Sequence, residues 1–466
     1  MKDDNAMKKR RGKNAKKTKR IILVVLIAAI VAAVAAAVVA VMLIFFPTRP
    51  KDPAYRYNSE NKYGATEHKN AAEVKVDFDV DFDSGAENVP EGAVDTVKEY
   101  FTRYYSSLGS YTACDISDLY SFDTDYELGV AETMRDYQIR IRENMHIDLS
   151  FDACRVGLRF LKCEATDKGV GVSLYENNSM EYAFLDGVTS YTSGVEHDFV
   201  LEETEGGWFI VSHSEITGVY SLITQGFDDL CSENNLTLSA LTATQIHDYF
   251  AELNEQLIEE TDSGLADLGR DRDKFNARPS RFEVDGKADH PYDADAAVAY
   301  SYEWAGKTEM LRNPNFTAYD EYGGNCNNFT SQCLLAGGIP MDVYGAIAEQ
   351  WKYYGDSIVT ASSALGRSMS WTGVEDFWRY CRANTGYGLV CDCTDNVYCA
   401  REGDIVQYIS GERGVHSVIV SKVIRDEAGN VVELLVNSNT TDKVDSPMSI
   451  YGYTDFRLIR IIGWNG

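Results

Sequence analysis

The longest apolar segment of this 466-residue chain is residues 21–46, a run without charge, Pro or Gly. As a helix it would span roughly 39 Å at about 1.5 Å per residue, more than the roughly 30 Å hydrocarbon layer of a membrane. The apolar core of a signal peptide is shorter, at about 7–15 residues. The run therefore predicts a retained single-pass transmembrane helix.

Helical spacing of apolar residues returns after a polar, Pro-containing stretch and predicts helices over Ala93–Leu108 and Asp125–Met145. Strand-like runs follow these helices. The glycine turn at Gly206-Gly207 predicts a hairpin into the strand Trp208–Ser212. Helices that precede an antiparallel sheet are typical of an α+β domain, and the order of elements resembles the nuclear-transport-factor-2-like fold. We therefore expect a cone-like sheet in this part of the chain.

The last part of the chain again alternates between helical and strand patterns. The spacing predicts a helix over Ala294–Ala305 and a second, short helix that carries Cys326 in its first turn. Strands led by Glu402-Gly403-Asp404, by His416 and by Glu433 follow. A helix that carries Cys, followed by strands that carry His and Asn, predicts a second α+β domain.

These patterns divide the chain into six predicted parts. They are a basic cytoplasmic tail (1–20), the transmembrane helix (21–46), an extracytoplasmic linker (47–89), an α+β domain (90–235), a helical connector (236–290) and a C-terminal α+β domain (291–466).

The net charge of −28 hides two parts of opposite sign. Residues 1–20 contain ten Lys or Arg and two Asp, so the rest of the chain carries −36. The positive-inside rule then predicts a cytoplasmic N-terminus and an extracytoplasmic body. Because an acidic body repels phosphate backbones, nucleic acid is excluded as a partner.

Cys326 and His416 are the candidates for nucleophilic chemistry. A thiol attacks only as thiolate, and both a helix N-terminus and a neighbouring imidazolium stabilise the thiolate. Cys326 has the first by position, and His416 is the one histidine of residues 291–466. Asn437 or Asn439 could orient the imidazole, since Cys–His–Asn is a known triad.

The oxyanion of a tetrahedral intermediate would be held by the backbone N–H of Cys326 and one further donor. Asn325, Tyr322 and the Asn327 amide are the candidates for that donor, and the sequence does not choose among them. This chemistry requires no metal and no cofactor.

Apart from Cys326 and Cys333, which share one predicted helix, the cysteines form two sets of four, in residues 90–235 and 291–466, so disulfides are an open alternative. The second set comprises Cys381, Cys391, Cys393 and Cys399. It lacks the paired Cys-x2-Cys spacing of zinc sites, which argues against a metal there.

The segment Gly-Gly-Asn-Cys-Asn-Asn-Phe-Thr-Ser-Gln-Cys at 323–333, followed by Ala-Gly-Gly at 336–338, resembles the signature of an amidase-domain family. That family is related to the NlpC-type and CHAP-type cysteine peptidoglycan hydrolases. The resemblance implies a papain-like α+β domain with Cys326 as nucleophile, His416 as base and Asn439 as third member. Asn325 replaces the family's acidic residue, and Asn439 replaces its more usual His.

The resemblance implies an enzyme that cleaves an amide bond in cell-wall peptidoglycan through a thioester on Cys326. Tethering by the predicted single-pass membrane anchor would suit that substrate. Two alternatives remain open. One is an inactive scaffold that recruits cell-wall or division partners through residues 90–235. The other is a transpeptidase or protease that acts on a protein substrate.

Overall fold

This computed structural model describes residues 56–57, 70–284, 286–355 and 366–466. Within them, strands β1 to β14 span Arg56–Tyr57, Lys75–Phe82, Ala153–Thr166, Gly169–Met180, Leu185–Asp186, Ser190–Thr204, Gly207–Glu215, His290–Pro291, Gly388–Thr394, Ile405–Ser410, Arg413–Arg425, Val431–Ser438, Asp442–Pro447 and Phe456–Asn465. Helices α1 to α8 span Glu91–Ser110, Asp125–Asn144, Gly218–Glu233, Ala243–Ala277, Ala294–Trp304, Cys326–Ala336, Met369–Thr372 and Val374–Ala383.

Helices with a strong apolar periodicity form where the sequence predicts them. Helix α1 exceeds the predicted 93–108 by two residues at each end, and α2 ends one residue before the predicted boundary. The apolar stripe of α4 is buried at Ile246, Phe250, Leu253 and Leu257. These side chains join the aromatic core beneath α1 and α2, so each helix forms because its apolar face is covered.

Twelve of the described strands form one sheet. Its order is β2-β3-β4-β6-β13-β12-β11-β10-β14-β8, with β7 added to β6 and β9 added to β14. The β2–β3 pair is parallel, and the other neighbouring pairs are antiparallel. The strands of residues 75–215 and those of residues 290–465 therefore share one hydrogen-bonded surface.

The junction between the two halves of the sheet is the pairing of β6 with β13. Asp442 pairs with Ser193, and Val444 pairs with Tyr191. The Ser190 hydroxyl also donates to the backbone oxygen of Asp445 at 2.7 Å. Strand β7 pairs with residues 197–204 on the same edge of β6, so β13 and β7 share that edge.

The predicted fold class is wrong in its particulars, although the described chain is a mixture of helix and sheet. The middle region does not form a cone, because its strand β6 continues through β13 into a twelve-stranded sheet. For the same reason the C-terminal strands do not form a separate papain-like sheet. Local periodicity predicts strands but not which strand lies beside which, and that pairing decided the architecture.

The predicted membrane localisation is also wrong as far as the structure describes the chain. No helix among the described residues combines the length and apolar character that a membrane span requires. The longest one, α4, has 35 residues and carries many charged side chains. Residues 1–20 and 21–46, on which the prediction of a tail and an anchor rests, lie outside the described residues, as do residues 47–55 and 58–69 of the linker.

A buried ion pair fixes the long loop that leads from α5 to α6. The carboxylate of Asp442 accepts the N–H groups of Gly306 and Leu311 at 2.9 and 2.8 Å. The Arg312 guanidinium lies 2.7 Å from the same carboxylate, whose side chain is fully buried. Arg312 also pairs with Asp320, which is 34% exposed. The first residues of β13 thus hold the loop in front of Cys326.

We expect Asp442→Asn to lower the free energy of unfolding by about 3 kcal/mol, because Arg312 loses its buried counter-ion. Urea denaturation at pH 8 measures this, since burial raises the pKa of Asp442 to about 6 and leaves it ionised there. The matched control Asp320→Asn removes the exposed partner and should cost less than about 1 kcal/mol. Equal losses in the two variants would contradict this account of the loop.

A second buried carboxyl, Glu433 on β12, makes stability depend on pH. Its Oε1 accepts the Leu434 N–H at 2.8 Å, and the Ser449 hydroxyl donates to its Oε2. Burial raises the pKa of Glu433 from 4.5 to about 7. The folded protein therefore holds this proton more tightly than the unfolded chain, so stability falls as the pH rises through about 7.

We expect Glu433→Gln to remove this loss of stability with rising pH. The unfolding free energy of the variant minus that of the wild type should rise by on the order of 2 kcal/mol between pH 5 and pH 8. Urea denaturation at both pH values measures the difference, with the exposed Glu412→Gln as control. A difference that stays constant with pH would show that Glu433 does not titrate as described.

Candidate active site

Cys326 is the first residue of α6, as the sequence predicted. The turn before it depends on Gly323 and Gly324, whose φ angles of 101° and 110° lie in the region that favours glycine. Asn325 follows as the residue before the helix, but its side chain makes no capping hydrogen bond to it.

The Asn325 side chain instead ties the turn to its surroundings. Its Oδ1 accepts the Tyr319 N–H at 3.1 Å and the Asn328 amide at 2.8 Å. Its Nδ2 donates to Asn439 Oδ1 at 3.0 Å, and its backbone N–H donates to Thr440 Oγ1 at 2.8 Å. The start of α6 is therefore fastened to the segment between β12 and β13.

The Cys326 thiol is buried among backbone amides. Burial raises the pKa of the thiol, because the charged thiolate loses its hydration. Backbone hydrogen bonds from Ser417, Asn327 and Cys326 itself act in the opposite direction and lower it, while the charge of Asp320 raises it slightly. The resting site therefore favours the neutral thiol, but the amides that would stabilise a thiolate are in place.

Strand β11 passes beside Cys326 and carries His416 next to Ser417. The Ser417 hydroxyl donates to Asn327 Oδ1 at 2.9 Å, so this side chain faces α6. Because side chains alternate along a strand, His416 faces the opposite side of the sheet. The regular pairing with β10 ends at this residue: Tyr408 pairs with His416 and Ile409 pairs with Gly414, which leaves Val415 as an extra residue.

The His416 ring lies against Tyr408, with 5.6 Å between ring centroids and 7° between planes. Burial lowers the pKa of His416 to about 3, and the charge of Lys443 acts in the same direction. The ring is therefore neutral at pH 7. Within the described residues, no hydrogen bond joins it to the Cys326 sulfur, so the structure brings the two segments together but not the two side chains.

The two candidates for the third residue have other partners. Asn439 donates to the Trp304 carbonyl oxygen at 3.0 Å and accepts the bond from the turn before α6. Asn437 donates to the Ser301 hydroxyl at 2.9 Å. Neither is hydrogen-bonded to His416 within the described residues, and an orienting role for either stays a prediction.

The oxyanion candidates differ in position. A hydrogen bond from the Asn327 backbone is one of the interactions that lower the pKa of the thiol, and the Asn327 side chain donates to the carbonyl oxygens of Ser370 and Trp371. Asn325 is buried, with one amide proton already donated, and Tyr322 is 59% exposed in the preceding turn. The Asn327 amide is thus the candidate that contacts the thiol.

A cavity of about 610 Å³ adjoins this site and has walls from both halves of the sheet. His416, Gly323, Thr440 and Lys443 line it from the C-terminal side. The opposite lining includes Tyr105, Arg142, Glu176, His197 and Glu215. His416 therefore faces a space that residues 90–235 help to enclose.

The sequence analysis missed the polar residues of this second wall. His197, His213 and Glu215 each offer a donor atom within 4.8 Å of the other two, an arrangement that could hold a metal ion. The signal in the sequence was weak, because His213 and Glu215 lie just beyond the predicted strand Trp208–Ser212, which the structure extends to Glu215. All ten cysteines are free thiols, including Cys381, Cys391 and Cys393.

Comparison with known proteins concerns the C-terminal part most directly. Residues 291–462 match a family model described as "Putative amidase domain". The chain is also 26% identical over 272 residues to "Uncharacterized protein YhbB" of Bacillus subtilis (strain 168). The aligned segment covers 58% of this chain and 70% of that protein. No solved structure matches the chain. The part of the chain that carries Cys326 and His416 is thus similar to an amidase-domain family, which indicates a hydrolase acting on amide bonds.

Proposed function

We propose that this protein is a cysteine hydrolase that cleaves an amide bond in cell-wall peptidoglycan. The observation that carries the proposal is the position of Cys326 at the first residue of α6, with three backbone N–H groups at its sulfur. The match of residues 291–462 to an amidase-domain family supports the class of bond. The substrate follows from the resemblance of the Cys326 segment to cysteine peptidoglycan hydrolases.

The reaction begins with proton transfer from the Cys326 thiol to His416. In the resting structure the pKa of His416 is lowered to about 3, which keeps the ring unprotonated but makes it a weak base. The transfer therefore requires the imidazole to leave this buried position and regain its ordinary basicity when substrate binds. The sulfur then attacks the carbonyl carbon of the amide, and backbone N–H groups hold the oxyanion that forms. When the intermediate collapses, the C–N bond breaks and the amine leaves with the proton from His416.

The second half of the reaction releases the acyl group. His416 takes a proton from water, the hydroxide adds to the thioester carbonyl, and the C–S bond breaks to give a carboxylic acid and the free thiol. Both halves require the imidazole within about 3 Å of the reacting atoms. Because His416 now faces away from α6 and lies against Tyr408, the proposal requires a local rearrangement of β11 that brings the imidazole to Cys326 when substrate binds.

The direct test incubates the full-length chain with purified peptidoglycan and identifies released fragments by mass spectrometry. We expect new amine and carboxyl end groups with the wild type and none with Cys326→Ala. His416→Ala should lower the rate by about 10²–10⁴-fold, the usual contribution of a general base.

Cys333→Ala is the matched control for these variants, since it removes a buried thiol from the same helix and should retain activity. No release by a folded wild type would count against the peptidoglycan substrate. Release that persists in Cys326→Ala would refute the cysteine mechanism itself.

The resting thiol should also be unreactive at neutral pH. Because burial raises the pKa of Cys326, its alkylation by iodoacetamide should be slow at pH 7 and accelerate above its ordinary pKa of 9.0. Peptide mapping by mass spectrometry separates Cys326 from the other nine cysteines. A plateau of fast alkylation near pH 6 that disappears in His416→Ala would instead show a preformed thiolate–imidazolium pair.

A further inference from the structure

Three potential metal ligands meet on one face of the β6–β7 hairpin. His197 pairs with Glu215, and Phe199 pairs with His213. Residues two apart on a strand share a face, so both imidazoles and the carboxylate point to the same side of the sheet. The hairpin itself, rather than a flexible loop, sets their spacing.

The separations of the donor atoms suit a small cation. His197 Nδ1 is 3.0 Å from His213 Nε2 and 3.7 Å from Glu215 Oε2. All three donor atoms lie within 4.8 Å of one another. In a tetrahedral zinc site with bonds of about 2.0–2.2 Å, two ligand atoms lie roughly 3.4 Å apart. The observed distances lie on either side of that value.

The second nitrogen of His197 provides independent support. His197 Nε2 is buried and has no hydrogen-bond partner among the described residues, while Glu176 Oε2 is 3.6 Å away. Tyr105 and Asn178 hold the other oxygen of Glu176 at 2.6 and 2.9 Å. A carboxylate behind a histidine, turned toward the nitrogen that does not bind metal, is a frequent feature of zinc sites.

The buried carboxylate of Glu215 also favours a bound cation. Its side chain is only 10% exposed, and no ion pair among the described residues links it to Lys or Arg. The Thr217 hydroxyl donates to its Oε1 at 2.6 Å, which leaves Oε2 directed toward His197. A buried carboxylate needs a cationic partner, and a divalent ion between it and two imidazoles would supply one.

We propose that His197, His213 and Glu215 bind one divalent cation of the Zn²⁺ class. Two imidazoles and a carboxylate are ligands that such ions accept, and three protein ligands leave a fourth position for water or a ligand. His197 and Glu215 line the cavity that His416 also lines, so that position opens into the space beside the candidate active site. The inference goes beyond the proposed hydrolase and does not depend on it.

The test uses the full-length chain, stripped with a chelator and titrated with Zn²⁺ alone in equilibrium dialysis. We expect one tightly bound Zn²⁺ per chain. His213→Gln and Glu215→Gln should each weaken binding by more than about 100-fold, and Glu176→Gln by about 10–100-fold. His146→Gln, which alters another buried histidine, is the control and should leave binding unchanged.

Two further measurements make the result decisive. Co²⁺ bound to the wild type should show the intense visible absorption of a four-coordinate site, and that absorption should vanish in Glu215→Gln. Cys391→Ser tests the cysteine cluster as the competing site. Absence of bound Zn²⁺ from the folded wild type, or binding lost in Cys391→Ser but kept in His213→Gln, would overturn the proposal.

Discussion

The pairing of β6 with β13 is the interaction on which the rest of this structure depends. It joins residues Tyr191–Ser193 to Asp442–Val444, two segments about 250 positions apart in the chain, and makes one sheet of the middle and C-terminal strands. The enclosed cavity exists because of that junction, since its walls come from both halves. A middle region that was only a spacer would not contribute a wall to the space beside the candidate nucleophile.

The same junction organises the start of α6. Asp442, the first residue of β13, holds the preceding loop through Gly306, Leu311 and Arg312. The neighbouring Thr440 accepts the N–H of Asn325. Buried polar groups must find partners, and here those partners come from both sides of the loop that leads to Cys326. The position of the thiol is thus a consequence of buried hydrogen bonds as well as of helix geometry.

The cavity brings together two kinds of chemistry that lie far apart in the chain. His416 reaches it from the C-terminal strands, and the histidines and carboxylates of the β6–β7 hairpin reach it from the middle region. A metal at the hairpin and a nucleophile at α6 would give the two halves distinct roles around one substrate.

The local sequence pattern was sufficient to predict several helices and the position of Cys326 at the start of a helix. The 3.6-residue periodicity predicted α1, α2 and the helical connector that contains α4, because the apolar spacing of an amphipathic helix can be recognised within a short stretch of sequence. The glycine pair before Cys326 predicted the turn that places a thiol at a helix start, since only glycine adopts those φ angles without strain. The wrong prediction of a cone-like sheet concerns how elements are arranged rather than whether they form.

What the sequence by itself determined, therefore, is which segments are helix or strand and which thiol stands at a helix N-terminus. Only the tertiary structure decided which strands pair, which face His416 takes and which polar residues meet. The direction of the His416 side chain follows from its pairing with Tyr408 on β10, because side chains alternate along a strand with a period of two. The β6–β13 junction and the Asp442–Arg312 ion pair join residues far apart in the chain, and no local periodicity carries information about contacts at that separation.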